Sequence, residues 1–262
     1  MTIRSKKKQP SKEEHLLKEQ LKIEEGIFDT RTMFRLGKLF AKGIVTSMRF
    51  IMARGKEADV YLADAGSKIG KEFVVLKIFR MENSRFQDRI RYIAGDPRFG
   101  RIKTNIYAIV NEWCKKEYGN LLVAEAAGVR APMPYAFSGN VLALEFIGKE
   151  GYPSRRLEQE EVKEPERVLN RILEDVKKLY ENELVHADLS EYNILMLGDL
   201  PYMIDFGQAV HVKHPEADEF LRRDIRNILH HFSKKYGIEK NEEEDFKYIT
   251  GTPTVESGGH SS

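Results

Sequence analysis

The run His186-Ala187-Asp188-Leu189-Ser190-Glu191-Tyr192-Asn193 sets an aspartate and an asparagine five positions apart, and Ile204-Asp205-Phe206-Gly207 adds a second aspartate a hairpin's length downstream. Transfer of a γ-phosphoryl group needs an acceptor for the nucleophile's proton and oxygen ligands for magnesium, a cation that takes carboxylates and amide carbonyls over imidazole or thiolate. Asp188 fits the first role, and Asn193 with Asp205 the second. Either run alone would pass for a capped turn or an ordinary strand end. Together, across a hairpin-sized gap, they point to phosphoryl transfer.

A matching half lies upstream. Ala53-Arg54-Gly55-Lys56-Glu57-Ala58-Asp59-Val60 has the register of the G-x-G-x-x-G-x-V loop that covers nucleotide phosphates, with alanine at the first and third glycine positions. The strand after it reads Val75-Leu76-Lys77, and a partly buried lysine there needs an anion, either a nucleotide phosphate or a helix glutamate. Glu117, in Trp113-Cys114-Lys115-Lys116-Glu117, is the best-placed glutamate.

These residues need elements to carry them. Ser11 with Glu14 forms a capping-box signature for a helix through about Ile23, and Asp29 or Thr30 opens a second helix that Gly43 ends. Short β-rich runs follow through Asp59-Val60-Tyr61 and Phe73 to Phe79. A helix is expected from about Ile106 to Ala127, and strands at Tyr135 to Phe137 and Val141 to Ile147. Pro165 to Asn182 reads as an amphipathic helix through Val168, Ile172, Leu173, Val176, Leu179 and Tyr180. A hairpin of Ile194 to Leu197 and Tyr202 to Ile204 comes next, and a last helix runs from about Ala217 to Lys235. The expected class is α+β with two lobes: a basic arm over 1–10, an amino-terminal helical extension over 11–48, a strand-rich nucleotide-binding lobe over 49–147, a helical catalytic lobe over 148–240 and a polar tail over 241–262.

Composition narrows the function. The 262 residues carry 43 Lys+Arg against 41 Asp+Glu, a formal charge of +2, which excludes the one-signed field of a histone-like protein. Any nucleic-acid contact must come from patches: the amino-terminal arm, the stretch 80–103, or Arg222, Arg223, Arg226, Lys234 and Lys235. No apolar run approaches the roughly 18 residues that a membrane span requires. Cys114 is the single cysteine, which excludes an intrachain disulfide and a thiolate zinc cluster and suggests a reducing, cytoplasmic setting. The pairs His211 with His214 and His230 with His231 lack a carboxylate cluster at metal-binding spacing and read as solvent or helix-end groups.

Taken with Leu144-Glu145-Phe146-Ile147-Gly148 and the late run Arg222-Arg223-Asp224-Ile225-Arg226-Asn227-Ile228, these motifs resemble the RIO-type atypical serine/threonine protein kinases, type 1 subgroup, from about Asp29 to Tyr236. The His-Ala-Asp-Leu-Ser-Glu-Tyr-Asn run is the most specific to that subgroup. The resemblance implies a trimmed protein-kinase fold with extra amino-terminal helices, ATP-dependent serine/threonine kinase and ATPase activity with Mg2+ or Mn2+, and a role on small-subunit pre-ribosomal particles, ribosomal RNA included. It further implies that Gly55, Lys56, Ala58 and Val60 cover the nucleotide, Lys77 holds the α/β-phosphates, Glu117 orients Lys77, and Glu145 and Ile147 offer backbone groups to the adenine edge. Asp188 is then the catalytic base, Asn193 and Asp205 bind the metal, and Asp205 is able to receive phosphate itself. An archaeal source is expected from the lack of long extensions.

Departures from the ordinary kinase pattern matter. Ser190 stands near the phosphates where ordinary kinases carry a lysine, so a charge that would help neutralise the γ-phosphoryl group is missing. Positions 208–262 hold no Ala-Pro-Glu, so a peptide-docking region of the ordinary kind has no place there. Nucleotide hydrolysis or autophosphorylation is expected to outweigh turnover of many peptides, with Ser84 and Thr104 as conceivable acceptors. Two rivals stand beside this reading: a small-molecule phosphotransferase of the aminoglycoside or choline kinase type, and a non-catalytic, nucleotide-dependent ribosome-assembly module.

Overall fold

The computed structural model describes residues 28–81, 90–100 and 105–251. The basic arm, the expected helix from Ser11, both candidate acceptors Ser84 and Thr104, and the end of the tail lie outside the described residues. The chain divides into two compact units, residues 1–80 with 135–144 and residues 81–134 with 145–262.

In the first unit Asp29 caps helix α1 (Thr30–Ala41), its carboxylate accepting the Thr32 N–H at 2.7 Å. Strands β1 (Val45–Arg54), β2 (Ala58–Ala65), β3 (Phe73–Phe79), β4 (Pro134–Ser138) and β5 (Val141–Glu145) form one sheet in the order β1-β2-β3-β5-β4. Leu36 and Leu39 of α1 are fully buried in the same cluster as Tyr61, Ala63, Val74, Leu76, Val141 and Ala143 of the sheet. The buried Asn140 ties the layers together: its amide donates to the Phe79 carbonyl at 2.8 Å and its oxygen accepts Arg35 of α1 at 2.7 Å. So α1, expected as an added extension, is built into the sheet unit.

Strand β1 was legible only in part from its sequence. Its pairing with β2 has three register shifts, between Val45/Ser47, Met48/Phe50 and Ile51/Ala53, and these break the alternation by which a strand is recognised. The β2–β3 pairing is regular and sets Val60 opposite Lys77 and Ala58 opposite Phe79.

The second unit holds helix α2 (Ile106–Ala126), the hairpin β6 (Gly148–Lys149) with β7 (Tyr152–Pro153), and β8 (Arg155–Arg156) beside the hairpin of β10 (Ile194–Leu197) and β11 (Leu200–Met203). Helix α3 (Pro165–Glu181) starts on proline and buries the stripe through Val168, Ile172, Val176 and Leu179. Strands β9 (Leu184–Val185) and β12 (Val210–His211) bracket the motif region and pair with each other. Helix α4 (Ala217–Tyr236) ends at Gly237, whose φ of 68° is the left-handed cap glycine favours.

Three boundaries differ from the sequence reading. Helix α2 groups with the second unit, because its side chains bond the backbone after Asp205. The sheet segments 135–144 join the first unit alone, so the division does not fall at one point near Gly148. The expected polar tail opens with a helix, α5 (Glu242–Thr250), capped by Asn241 and carrying four acidic residues in its first turn.

Helix α5 packs on α3 and α4 through Phe246 and Ile249, and the Arg222 guanidinium lies 3.7 Å from the Phe246 ring centre. Phe246→Ala is expected to destabilise the unit by about 3 kcal/mol, the lower end for a buried phenylalanine. Urea unfolding measures it, and a loss below about 1 kcal/mol would mean the helix is only loosely docked. No helix among the described residues is long and apolar enough to cross a membrane.

Candidate active site

Asp188 sits between β9 and a short 3-10 turn, Glu191–Asn193, that the chain enters through the extended Ser190. The Asn193 amide nitrogen donates to the Asp188 carbonyl at 2.8 Å and to its carboxylate at 3.1 Å. The five-residue spacing thus closes a loop, and with its nitrogen committed, Asn193 has its amide oxygen to give to a cation. Gln208 adds a second donor to the same Asp188 oxygen at 3.2 Å, a contact that no motif indicated.

Ala187, just before Asp188, has φ of 62°, a left-handed conformation that costs a residue with a Cβ about 1–2 kcal/mol. Asp224 of α4 holds it there. One carboxylate oxygen accepts the Ala187 N–H at 2.7 Å, the other accepts the Leu189 N–H at 2.9 Å, and Arg223 donates to the Ala187 carbonyl. Asp224 lay within the quoted Arg222–Ile228 run without a role, since a carboxylate that reads backbone N–H groups leaves no partner side chain to find.

Burial pushes the Asp224 carboxyl up to about 8, against the two backbone N–H groups and Arg223, which favour its charged form. Because the folded value lies above the ordinary 3.8, the folded state holds more proton between them, and this stabilisation is lost as pH rises from about 4 to about 8. Asp224→Asn presents an NH2 to one of the two N–H donors and is expected to cost about 1–3 kcal/mol. Thermal unfolding at both ends of that range should show the gap between wild type and variant narrowing with pH. A gap that widens would reverse the assignment.

Asp205 follows β11 with φ of 67°. His186 spans the two motifs: its Nε2 lies 3.1 Å from the Ile204 carbonyl and its ring packs 4.7 Å from that of the buried Phe206. Behind the turn, one stripe of α2 faces the chain after Asp205. A Cβ on Gly207 would stand 3.0 Å from the Trp113 indole nitrogen and 3.4 Å from a Glu117 carboxylate oxygen, so glycine fits there and Glu117 is placed beside the turn. Lys116 and Asn120 on the same stripe donate to its carbonyls. Burial lowers the Lys116 ammonium to about 7, with Arg98 adding to the effect and Asp96 and Glu117 opposing it.

The residues expected over the nucleotide belong to the first unit. The Gly55 N–H bonds the Ala58 carbonyl at 2.9 Å, closing the β1–β2 turn, and a Cβ on Gly55 would meet that same oxygen at 2.9 Å. Lys56 is exposed at the turn. Lys77 shares a cross-strand position with Val60 and lies half-buried, its ammonium 5.2 Å from the Phe79 ring centre. At the end of β5 the Glu145 N–H donates to the Met133 carbonyl at 2.8 Å, and the Ile147 carbonyl accepts the Ser154 N–H at 3.0 Å.

Several expected surface groups have other work. Arg222 pairs with Glu243 and Arg226 with Glu242, both on α5, and Lys235 donates to the Glu160 carbonyl. These contacts tie α4 to α5 and to the segment before α3. His214 is buried, not solvent-facing, with Nε2 at 3.1 Å from the Arg91 and Ala94 carbonyls. His231 is buried beside Phe232 and Tyr236, and burial lowers its pKa. Among the described residues no three His, Cys, Asp or Glu side chains cluster to hold a metal. The donor set of Asn193 and Asp205, one amide oxygen and one carboxylate, suits magnesium, which keeps waters and completes its shell on substrate phosphates.

The fold is protein-kinase-like and two-lobed. The comparisons with known proteins place it further. The family model described as RIO domain matches residues 59–246, and the chain belongs to the RIO family, in its type 1 subgroup. It is 36% identical over 241 residues to a RIO-type serine/threonine-protein kinase Rio1 of Haloferax volcanii, spanning 92% of this chain and 82% of that one. With its counterpart in Methanocaldococcus jannaschii it shares 39% identity over 234 residues, 89% of this chain and 79% of the other. The human serine/threonine-protein kinase RIO1 is 34% identical over 86% of this chain, which spans 40% of that longer protein. Among solved structures, the Rio2 kinase–ADP/Mg2+-phosphoaspartate complex from Chaetomium thermophilum matches with a TM-score of 0.64 at 21% identity, covering 84% of this chain and 66% of that one, a likeness of fold.

Proposed function

We propose that the chain is an ATP- and magnesium-dependent atypical serine/threonine kinase with ATPase activity, which phosphorylates itself and acts in the cytoplasm on small-subunit pre-ribosomal particles. The observation that carries the reading is the closed Asp188–Asn193 loop, with Asp205 in a left-handed turn beside it in sequence order, inside a RIO domain. Asp188 takes the proton of the attacking hydroxyl. Asn193 and Asp205 hold magnesium, which when bound neutralises charge on the phosphates. Lys77 takes the α/β-phosphates, with Gly55, Lys56, Ala58 and Val60 over the nucleotide and Ser190 near its phosphates. At the adenine edge the backbone groups already used are the Glu145 N–H and the Ile147 carbonyl. Their complements, the Glu145 carbonyl and the Ile147 N–H, are the acceptor and donor that adenine would read. The ribosomal partner rests on the family resemblance.

The acceptor is the feature to test. A serine or threonine hydroxyl attacking the γ-phosphorus gives an acid-stable phosphoester and ADP. Attack by the Asp205 carboxylate gives an acyl phosphate and ADP, and water then releases phosphate. With γ-labelled ATP, label on the protein that resists hydroxylamine and disappears in Asp188→Asn supports the kinase reading. Hydroxylamine-labile label that disappears in Asp205→Asn supports the aspartyl-phosphate cycle. Phosphorylation of choline or an aminoglycoside with no label on protein would instead favour the small-molecule rival.

A further inference from the structure

Helix α2 turns one stripe, Trp113, Lys116, Glu117 and Asn120, toward the chain that follows Asp205, and two of its buried polar side chains bond backbone carbonyls there. Lys116, 2% exposed, donates through Nζ to the Gly207 carbonyl at 2.8 Å and to the Ala209 carbonyl. Asn120, 1% exposed, donates through Nδ2 to the Phe206 carbonyl at 2.8 Å and to the Ala209 carbonyl at 3.0 Å. Three carbonyls within four residues are thus gathered onto one helix face. That fixes the peptide planes on the carboxyl-terminal side of Asp205 and with them the left-handed backbone from which its carboxylate projects.

The Asn120 amide is itself oriented. Its oxygen accepts Arg98 at 2.8 Å, and Arg98 is held in turn by the buried Asp96 at 2.6 Å and 2.9 Å. Asp96 also accepts the His211 N–H, at 3.3 Å. Burying an ammonium is costly when hydrophobic side chains would fill the same volume, and a network of this kind is the sort that fixes one backbone arrangement. An apolar stripe would pack against the turn equally well but would leave the Gly207 carbonyl without its donor, and the Phe206 and Ala209 carbonyls with only the Ala209 N–H and a 3.4 Å Arg98 contact, so their directions would be less firmly set.

We propose that Lys116 and Asn120 are positioning residues for Asp205, holding the 206–209 backbone so that the Asp205 carboxylate meets the metal–nucleotide complex. The proposal rests on the reading of Asp205 as a magnesium ligand. Lys116 acts here as a paired hydrogen-bond donor to backbone and touches neither nucleotide nor metal.

The test measures ADP affinity with Mg2+ and with EDTA, and takes the ratio as the gain in affinity that magnesium supplies. Lys116→Met and Asn120→Leu are expected to lower that gain at least fivefold while ADP affinity in EDTA stays within twofold of wild type. Adding Lys116→Met to Asp205→Asn should lower it no further, because the residue being positioned is already gone. A folded Lys116→Met with the wild-type gain overturns the proposal. So does an equal fractional loss in the wild-type and Asp205→Asn backgrounds, which would make the network a general support. Should Lys116→Met fail to fold, Asn120→Leu carries the same expectations. Asp205→Asn alone checks the underlying reading: a normal magnesium gain there removes the metal-ligand assignment, whereas a normal gain in Lys116→Met and Asn120→Leu beside a defective Asp205→Asn removes only the positioning role.

Discussion

Replacing Asp188 by asparagine is expected to slow phosphoryl transfer by about 10²–10⁴-fold, the range that a positioned general base supplies. The substitution keeps the side chain's shape, and what changes is its capacity to take a proton. Its amide oxygen can still accept Asn193 Nδ2 and Gln208 Nε2, which in the native loop both donate to one Asp188 carboxylate oxygen. The variant should therefore bind ATP with affinity near wild type while its single-turnover rate collapses. A wild-type rate in Asp188→Asn would remove the general-base role and leave Asp188 as a loop residue.

Asp205→Asn is expected to cost about 10³-fold in rate, since it takes away the one carboxylate in the proposed metal pair and several kcal/mol of charge stabilisation with it. Asn193 alone offers a neutral oxygen and cannot substitute for that charge. Unlike the Asp188 variant, this one should also lose the magnesium-dependent part of nucleotide affinity, and raising magnesium should restore part of the rate. If the rate stays down at every magnesium concentration while metal-dependent binding is intact, Asp205 acts as nucleophile and not as ligand. The two variants thus separate proton transfer from metal binding by their response to one titration.

The parts of the candidate site that the sequence indicates are those whose chemistry would lie in side chains at fixed spacing. Asp188 with Asn193, Asp205 after its hairpin and Lys77 at its strand position are of that kind, and the Asp188–Asn193 bond explains why the spacing is five. What stayed silent acts on the backbone. Asp224 accepts two N–H groups across 35 and 37 residues, and Lys116 and Asn120 reach carbonyls 86 to 93 residues away. Such contacts leave no pattern of side-chain types, because any residue supplies an N–H or a carbonyl. A mid-helix asparagine beside a lysine reads as surface polarity until the fold buries both.

The elements divide in the same way. Helices α3 and α4 follow from uninterrupted periodicity and strand β3 from a continuous apolar run broken only by Lys77, and their ends fall within a residue or two of expectation. Strand β1 was legible only in part because its bulges shift the apolar set from face to face. Helix α5 escaped although its signals were present, an asparagine cap and an acidic first turn. Its two buried apolar residues, Phe246 and Ile249, are too few to raise a periodic signal in nine residues, and the arginines that pair with its acids sit a helix away on α4.

One measurement bears on the whole account most directly: a single-turnover chase of γ-labelled ATP with excess wild-type protein, quenched over time with magnesium present or chelated. The account predicts that bound ATP is converted to ADP with the label recovered on the protein and as free phosphate, and only when magnesium is present. ATP that is bound and recovered intact would contradict it, and would leave a nucleotide-dependent binding module with the architecture of a kinase.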